Sequence, residues 1–325
     1  MLQTFKKGYA LVVGAGADLP VTLDDAKAVA DLLRDSSRCA YPTEQVRLLT
    51  AEKARRIDIL SALSWLAGAV GPDDTVLVYF SGHGLETPDY YLLPYGYDLA
   101  DLESSAIRGE IFSEHLRAIQ AQKLLVLLDC CHAGGQAEAK GAIKSPLPPS
   151  TIAQLGSSSG RVVIASSRKD EVSWTGKPYS VFTASLLEAL AGYGAFEQDG
   201  YARVLDLCMW VGRKVPERTG DKQHPIIKVS NLENNFALAW YAAGEKSPRS
   251  LPKLTNTIPS VASGLNVEQV ASWRRMLANY RENLLLIEER MSEYVAFNQI
   301  PSQDIKNKRL TENKISDLEQ KLGIK

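Results

Sequence analysis

Leu124-Leu125-Val126-Leu127-Leu128-Asp129-Cys130-Cys131-His132-Ala133-Gly134-Gly135 is the stretch on which the reading of this chain turns. A run of apolar residues ends abruptly in an acid, two thiols, an imidazole and two glycines. A continuous apolar run reads as a strand buried on both faces, the habit of a parallel sheet. The glycines then allow a sharp turn. A second stretch has the same shape: Thr75-Val76-Leu77-Val78-Tyr79-Phe80-Ser81-Gly82-His83-Gly84. In open parallel α/β sheets, sites form at the carboxyl ends of the strands. The two strands therefore present a cysteine and a histidine on one rim.

Working outward, strands and helices alternate. Residues 9–13 give a first strand, followed by Gly14-Ala15-Gly16. A dinucleotide loop needs a third glycine, and Ala17-Asp18-Leu19-Pro20 follows instead, so a tight strand-to-helix turn is the better reading. Ala26, Val29, Ala30 and Leu33 recur at helical spacing and predict a helix over 24–34. A strand at 46–50 and a helix at 57–70, closed by Gly71-Pro72, come next. The third strand is read as carrying both Ser81 and His83. Residues 90–94 read as half of a hairpin, and 111–119 as a helix leading into the Cys131 strand. Strand 162–165, helices 181–190 and 204–215, and an edge strand at 226–229 complete the pattern. Such alternation predicts a doubly wound, mostly parallel α/β sheet flanked by helices. Residues 136–160, rich in Ala, Gly, Ser and Pro, read as one long loop without elements of its own, functional or disordered.

The chain is predicted to divide into a catalytic domain over 1–243, a linker over 244–267 and a helical hairpin over 268–325. The linker is marked by Pro248, Pro252 and Pro259 among serines. Beyond it, Trp273, Leu277, Tyr280, Leu284, Ile287, Met291 and Tyr294 recur at alternating steps of four and three, a heptad stripe. Pro301 interrupts, and Ile315, Leu318 and Leu322 give a weaker second stripe. The expected antiparallel hairpin either packs on its own catalytic domain or serves as a docking or oligomerisation module.

Composition bounds the function. Of 325 residues, 37 are Lys or Arg and 38 are Asp or Glu, for a net charge of -1, which gives no general nucleic-acid footprint. Hydrophobic residues make up 45%, enough for a sizeable core. The apolar run at 9–13 is too short for a signal peptide, and no stretch approaches the roughly 20 apolar residues of a membrane span. A cytoplasmic protein without membrane attachment is expected. Four cysteines, two of them adjacent, make no disulfide framework. Cys39 and Cys208 read as buried small hydrophobes.

Side chains alternate across a strand. If strand geometry persists to the ends, Asp129 and Cys131 share one side while Cys130 points to the other, and Ser81 and His83 share a side. Ser81, His83, Asp129 and Cys131 can then converge, with Cys130 structural. A histidine beside Cys131 would lower its pKa and supply the nucleophilic thiolate. The backbone N–H groups of Gly84 and Cys131 could form an oxyanion hole, so hydrolysis of a peptide through an acyl-thioester fits the parts. Other uses of Cys131 fit less well. A thiol phosphatase would need an arginine six positions on, where Ala137 stands. No spaced pair of cysteines supports zinc. His132 reads as a turn residue. His115 and His224 have no partner that the sequence suggests.

Phe80-Ser81-Gly82-His83-Gly84 and Asp129-Cys130-Cys131-His132-Ala133-Gly134 closely resemble the two motifs of the metacaspases and related prokaryotic caspase-like proteases, over roughly 7–242. The resemblance implies the caspase fold, His83 as general acid/base and Cys131 as nucleophile. It implies cleavage after Arg or Lys, because the position two before the nucleophile is Asp129. A carboxylate there favours a cationic side chain. Asp25 and Ser81 would line the same pocket, although Asp24 and Asp25 also read as plain acids at a helix N-terminus. Ser173-Trp174 resembles the segment that holds the substrate backbone, with Trp174 walling a neighbouring pocket or lying in the core. Many metacaspases need calcium. Asp98, Asp101 and Glu103 are candidate ligands, with a solvated acidic turn as the competing reading. Many also cleave themselves after the catalytic motif, which makes Lys140 and Lys144 candidate sites. Prokaryotic relatives with such appendages resemble effectors of regulated death or antiviral defence, so the expected partners are a protein substrate and a protein bound through 268–325. The rival expectation is a catalytically silent caspase-like scaffold acting through its C-terminal helices.

Overall fold

The apolar runs of the sequence become one six-stranded sheet. The computed structural model describes residues 4–16, 19–130, 148–156, 160–168, 171, 173–242, 281, 284 and 302–321. The sheet contains β1 (Gly8–Gly14), β2 (Val46–Thr50), β3 (Thr75–Ser81), β7 (Lys123–Asp129), β8 (Arg161–Ala165) and β10 (Ile226–Ser230). Its strand order is β10-β8-β7-β3-β1-β2. All neighbours are parallel except the edge strand β10, which runs antiparallel to β8.

Helices cover both faces, and the period-2 alternation of each strand sorts its side chains between them. Ala10, Val12, Leu77, Tyr79, Leu125, Leu127, Val162 and Ile164 pack with α1 (Val21–Arg34), α6 (Val181–Leu190) and α7 (Val204–Thr219). Leu11, Val13, Val76, Val78, Phe80, Leu124, Val126, Leu128, Val163 and Ala165 pack with α2 (Arg56–Ala69), α4 (Gly109–Ala118) and α5 (Pro149–Leu155). Nearly all of these residues are fully buried. Removing that apolar surface from water is the main force holding the layers together. The doubly wound expectation is therefore met. Cys39 and Cys208 are buried, as read.

Three features depart from the sequence reading. First, β3 stops at Ser81, and His83 opens a separate strand, β4 (His83–Thr87). β4 pairs antiparallel with β5 (Asp89–Leu93), which pairs with β6 (Ile107–Arg108), in a small second sheet. Gly82 makes the break: a Cβ there would lie 2.8 Å from the Phe80 ring and 3.0 Å from the Ala15 Cβ. Second, part of the expected long loop is helix, since α5 begins on Pro149, a residue suited to a first helical turn. Third, α7 does not end at Val215. It runs through Pro216 to Thr219 and closes on Gly220 in the left-handed conformation. A further two-stranded sheet, β9 (Tyr201–Arg203) with β11 (Ala237–Trp240), was not read from the sequence. The Gly14-Ala15-Gly16 turn is a tight one. A Cβ on Gly14 would meet the Thr22 carbonyl oxygen at 2.3 Å, and Gly16 has a φ of +69°.

The chain forms two compact units, Met1–Ile258 and Pro259–Lys325. Within the second, α8 (Ser302–Lys321) is a helix of 20 residues whose Glu319 accepts a hydrogen bond from Arg281 Nη2 at 2.8 Å. The expected linker 244–267 and most of the Trp273–Tyr294 stripe lie outside the described residues; Leu284 of that stripe is helical and half-buried. No helix among the described residues is long and apolar enough to cross a membrane.

Candidate active site

The carboxyl ends of β3 and β7 lie side by side, with Ser81 in register with Asp129. By strand alternation, Ser81 follows Tyr79 and Asp129 follows Leu127 onto the face covered by α1 and α6. Both helices meet them there with polar groups. Asp25 stands in the second turn of α1, and Ser180 caps the N-terminus of α6. Asp25, Ser81, Asp129, Ser173 and Ser180 are all completely buried.

Each carboxyl is held by neutral donors. Asp129 Oδ1 accepts the Ser173 hydroxyl at 2.8 Å, and Oδ2 accepts the Ser180 hydroxyl at 2.6 Å and the Thr183 hydroxyl at 3.5 Å. Asp25 Oδ1 accepts the Ser180 N–H at 2.9 Å, and its Oδ2 accepts the Ser81 hydroxyl at 3.5 Å. Ser180 is thus a hinge of the site. Its hydroxyl donates to Asp129 and accepts the Thr183 N–H at 3.0 Å, while its own N–H serves Asp25. The positive end of the α6 dipole faces both acids. Tyr79 closes the floor through a 2.7 Å hydrogen bond between its hydroxyl and that of Thr183.

No basic side chain pairs with either acid among the described residues. Burial, and then repulsion from Asp129, pushes the Asp25 carboxyl well above its ordinary range, with the Ser180 and Ser81 bonds opposing the rise. Among the described residues, the surroundings hold these carboxyls only through hydroxyl and N–H dipoles.

The model of the Caspase domain matches residues 7–237 of this chain, β1 through the start of β11. The chain belongs to the caspase family. Metacaspase-1A of Aspergillus terreus is 24% identical over 274 residues, covering 75% of this chain and 63% of that relative. Metacaspase-1 of Cryptococcus neoformans is 24% identical over 290 residues, covering 78% of this chain and 58% of that relative. The chain therefore spans about six-tenths of the length of the curated relatives it matches. Among solved structures, the protein GSU0716 of Geobacter sulfurreducens is similar in fold, with a TM-score of 0.50 and 16% identity over 72% of this chain and 99% of that one. The resemblance read from the two motifs is borne out at the level of family and fold.

Within that caspase fold the candidate residues fall into place unevenly. Asp25, Ser81 and Asp129 come together as described. His83 is buried at the start of β4, two residues beyond Ser81, but the β3 pleat does not direct it, because Gly82 separates the two strands. Gly84 lies on β4 opposite Leu92. Cys131, His132 and the candidate cleavage sites Lys140 and Lys144 lie outside the described residues. Cys130, on the opposite face from Asp129, is buried in the core beneath α2 and α4, as expected of a structural thiol.

Trp174 is half-buried and packs on the core of the α1–α6 face, with Lys222 Nζ 5.7 Å from its ring centroid. Of the calcium candidates, Asp98 accepts the Ala100 N–H at 2.9 Å, and Asp101 caps α3 (Leu102–Ser105). Glu103 takes hydrogen bonds from Tyr91 and Arg108 at 2.5 and 2.6 Å. No group of three or more His, Cys, Asp or Glu side chains among the described residues is placed to hold a metal ion. His115 is tied to the Ile111 carbonyl oxygen at 2.9 Å. For His224 the sequence suggested no partner, yet its two ring nitrogens lie 2.6 Å from Glu171 Oε1 and 2.9 Å from Asp221 Oδ1.

Four contributors went unread: Ser180, Thr183, the Ser173 hydroxyl and Gln223. Only Ser180 carried a local signal, a serine immediately before an apolar helix. Gln223 comes from 50 residues beyond Ser173 and is contacted only through the fold.

Proposed function

We propose that this chain is a cysteine endopeptidase that cleaves protein substrates after arginine, or lysine, with His83 as general acid/base and Cys131 as nucleophile. The observation that carries the reading is the pair of buried carboxyls, Asp25 and Asp129, with no basic partner among the described residues, beside the histidine strand of a caspase-family chain. A substrate guanidinium supplies the missing charge. Its planar fork suits two acids held by hydroxyl donors. On this reading His83 takes the proton of the Cys131 thiol and returns it to the leaving amine. The N–H groups of Gly84 and Cys131 receive the developing oxyanion, and water then hydrolyses the thioester.

The buried state of Asp25, Ser81 and Asp129 supports a regulated enzyme. A substrate side chain reaches them only after part of the lining moves, so activation by a partner or by self-cleavage at Lys140 or Lys144 belongs to the same proposal. So does recruitment through 268–325, as in an effector of antiviral defence.

The test is cleavage of fluorogenic peptides ending in Arg, Lys or Asp, with and without calcium, by the wild type and Cys131→Ala. Cleavage after Arg or Lys, abolished in the variant, is the expected result. Cleavage after Asp overturns the role of the acidic pocket. Mass spectrometry of the incubated wild type against Cys131→Ala reads self-cleavage directly, and an intact wild-type chain counts against it.

A further inference from the structure

We infer that Gln223, which precedes β10, is a positioning residue of the acidic pocket, acting through Ser173 to keep Asp129 in its charge-reading state. The inference rests on the reading of that pocket given above. Gln223 is completely buried, and its one amide joins three separate segments. Nε2 donates to the Ser166 carbonyl oxygen at 2.8 Å and to the Ser173 hydroxyl oxygen at 3.2 Å. Oε1 accepts the Trp174 N–H at 2.8 Å. Its own N–H donates to Thr219 Oγ1 at 3.1 Å, in the turn of α7 that lies beyond Pro216. Ser166 is tied in turn to β7, since its N–H donates to the Leu128 carbonyl oxygen at 3.0 Å.

The polarity of this amide has one solution. Rotated by half a turn, its oxygen would face the Ser166 oxygen and its NH2 would face the Trp174 N–H, two repulsive contacts in a buried place. With the NH2 directed at Ser173 Oγ, the Ser173 hydroxyl has a donor on one side. Its single proton therefore goes to the other side, to Asp129 Oδ1 at 2.8 Å. Gln223 thus fixes Ser173 as a donor and Asp129 as an acceptor, so the Asp129 oxygen meets a hydroxyl proton rather than a lone pair. The same amide clamps the Ser173–Trp174 backbone, the segment whose position decides where the pocket wall stands. A hydrophobic residue of equal size would fill the space but lose the proton direction.

The experiment compares wild type, Gln223→Glu and Ser173→Ala, singly and together, in the full chain. Gln223→Glu keeps the shape and the Trp174 bond but replaces the NH2 donor by an acceptor. The Ser173 proton can then turn away from Asp129. KM for an Arg peptide is expected to rise by about tenfold or more, the range for a lost bond to a charged group, with kcat changed far less. Alkylation of the Cys131 thiol by iodoacetamide, a neutral reagent that needs no acidic pocket, should keep its rate and pH profile. Ser173→Ala should raise KM in the same way, and the double variant should be no worse than the poorer single one, because both act through one hydroxyl.

Unchanged KM in folded Gln223→Glu and Ser173→Ala overturns the inference, as does a parallel fall in kcat and alkylation, the sign of a merely structural role. If Gln223→Glu does not fold, Ser173→Ala decides by the same criterion. A wild type that cleaves after neither Arg nor Lys overturns the pocket reading and this inference with it. An active wild type with indifferent variants overturns the inference alone.

Discussion

Two acidic clusters sit on either side of Gln223, and they are built on opposite principles. Towards the sheet, Asp25 and Asp129 are fully buried and held only by hydroxyls and one backbone N–H. Towards the surface, Glu171 and Asp221 hold the His224 ring between them, and Glu171 also accepts the His224 N–H at 2.6 Å. In the outer cluster both ring nitrogens face carboxylate oxygens, so a protonated imidazole satisfies both. The outer cluster holds a base between its acids; among the described residues the inner one holds none. At this partly exposed site the His224 ring works as a clasp between Glu171 and Asp221. Burying two carboxyls without a basic partner costs stability.

Mutations can break this contrast, starting with the strongest. Asp129→Asn keeps the shape and replaces one buried carboxyl by an amide. It should lower kcat/KM for an Arg peptide by about a hundredfold or more, the scale for truncating one side of a desolvated charge pair. A full-strength Asp129→Asn enzyme would mean that the inner cluster reads no charge.

Ser180→Ala tests what the cluster owes to neutral donors. It removes the α6 cap together with the bond to Asp129 and should cost about 1–3 kcal/mol of stability in chemical denaturation. A loss no greater than an exposed cap gives would show that the Asp129 bond adds nothing.

Asp25→Asn addresses the cost of burial. Desolvation and then Asp129 raise the Asp25 pKa above its ordinary 3.8, so the folded chain holds a proton that the unfolded chain releases. Stability therefore falls as pH climbs from that value through the folded pKa. The variant should melt at or above the wild-type temperature at neutral pH, with a shallower decline across that window. A lower melting temperature at neutral pH would contradict the account.

The outer cluster gives the smallest effect and a different window. Glu171 first, and Asp221 after it, raise the His224 pKa above the ordinary imidazole value of 6.5. The stability this confers is fully present below 6.5 and is lost as pH rises through the folded pKa. His224→Gln should melt below the wild type on the acid side of 6.5, and its profile should be flatter through that upper window. An identical profile would show that the clasp does not titrate.

Much of this was legible in the primary structure because it depends on local pattern. The apolar runs at 75–80 and 124–128 predicted the buried strands, and their alternation placed Ser81 and Asp129 on one face and Cys130 on the other. His83 shows the limit of that logic. Alternation assigned it to the Ser81 side of one strand, but Gly82, crowded by Phe80 and Ala15, ends β3 and starts another sheet. Whether a glycine continues a strand or breaks it depends on what packs against it, which its neighbours in sequence do not record. The heptad residues from Trp273 onward carried an equally regular pattern, and the described helix Ser302–Lys321 belongs to the same unit.

The sequence by itself determined the class of fold and the buried strands that end in Ser81 and Asp129, because strand burial and helix amphipathicity repeat at short, fixed periods, while the resemblance of its two motifs pointed to the family and to Asp129 and Asp25 as candidate acids. Only the tertiary structure decided that the two acids share Ser180, that no described base neutralises them, that Glu171 and Asp221 clasp His224, and that Gln223 governs Ser173. Apart from Asp221 and His224, three positions apart, those contacts join residues 50 to 155 positions apart. Hydrogen-bond direction and desolvation depend on what surrounds a group in space, and folding alone assembles that environment.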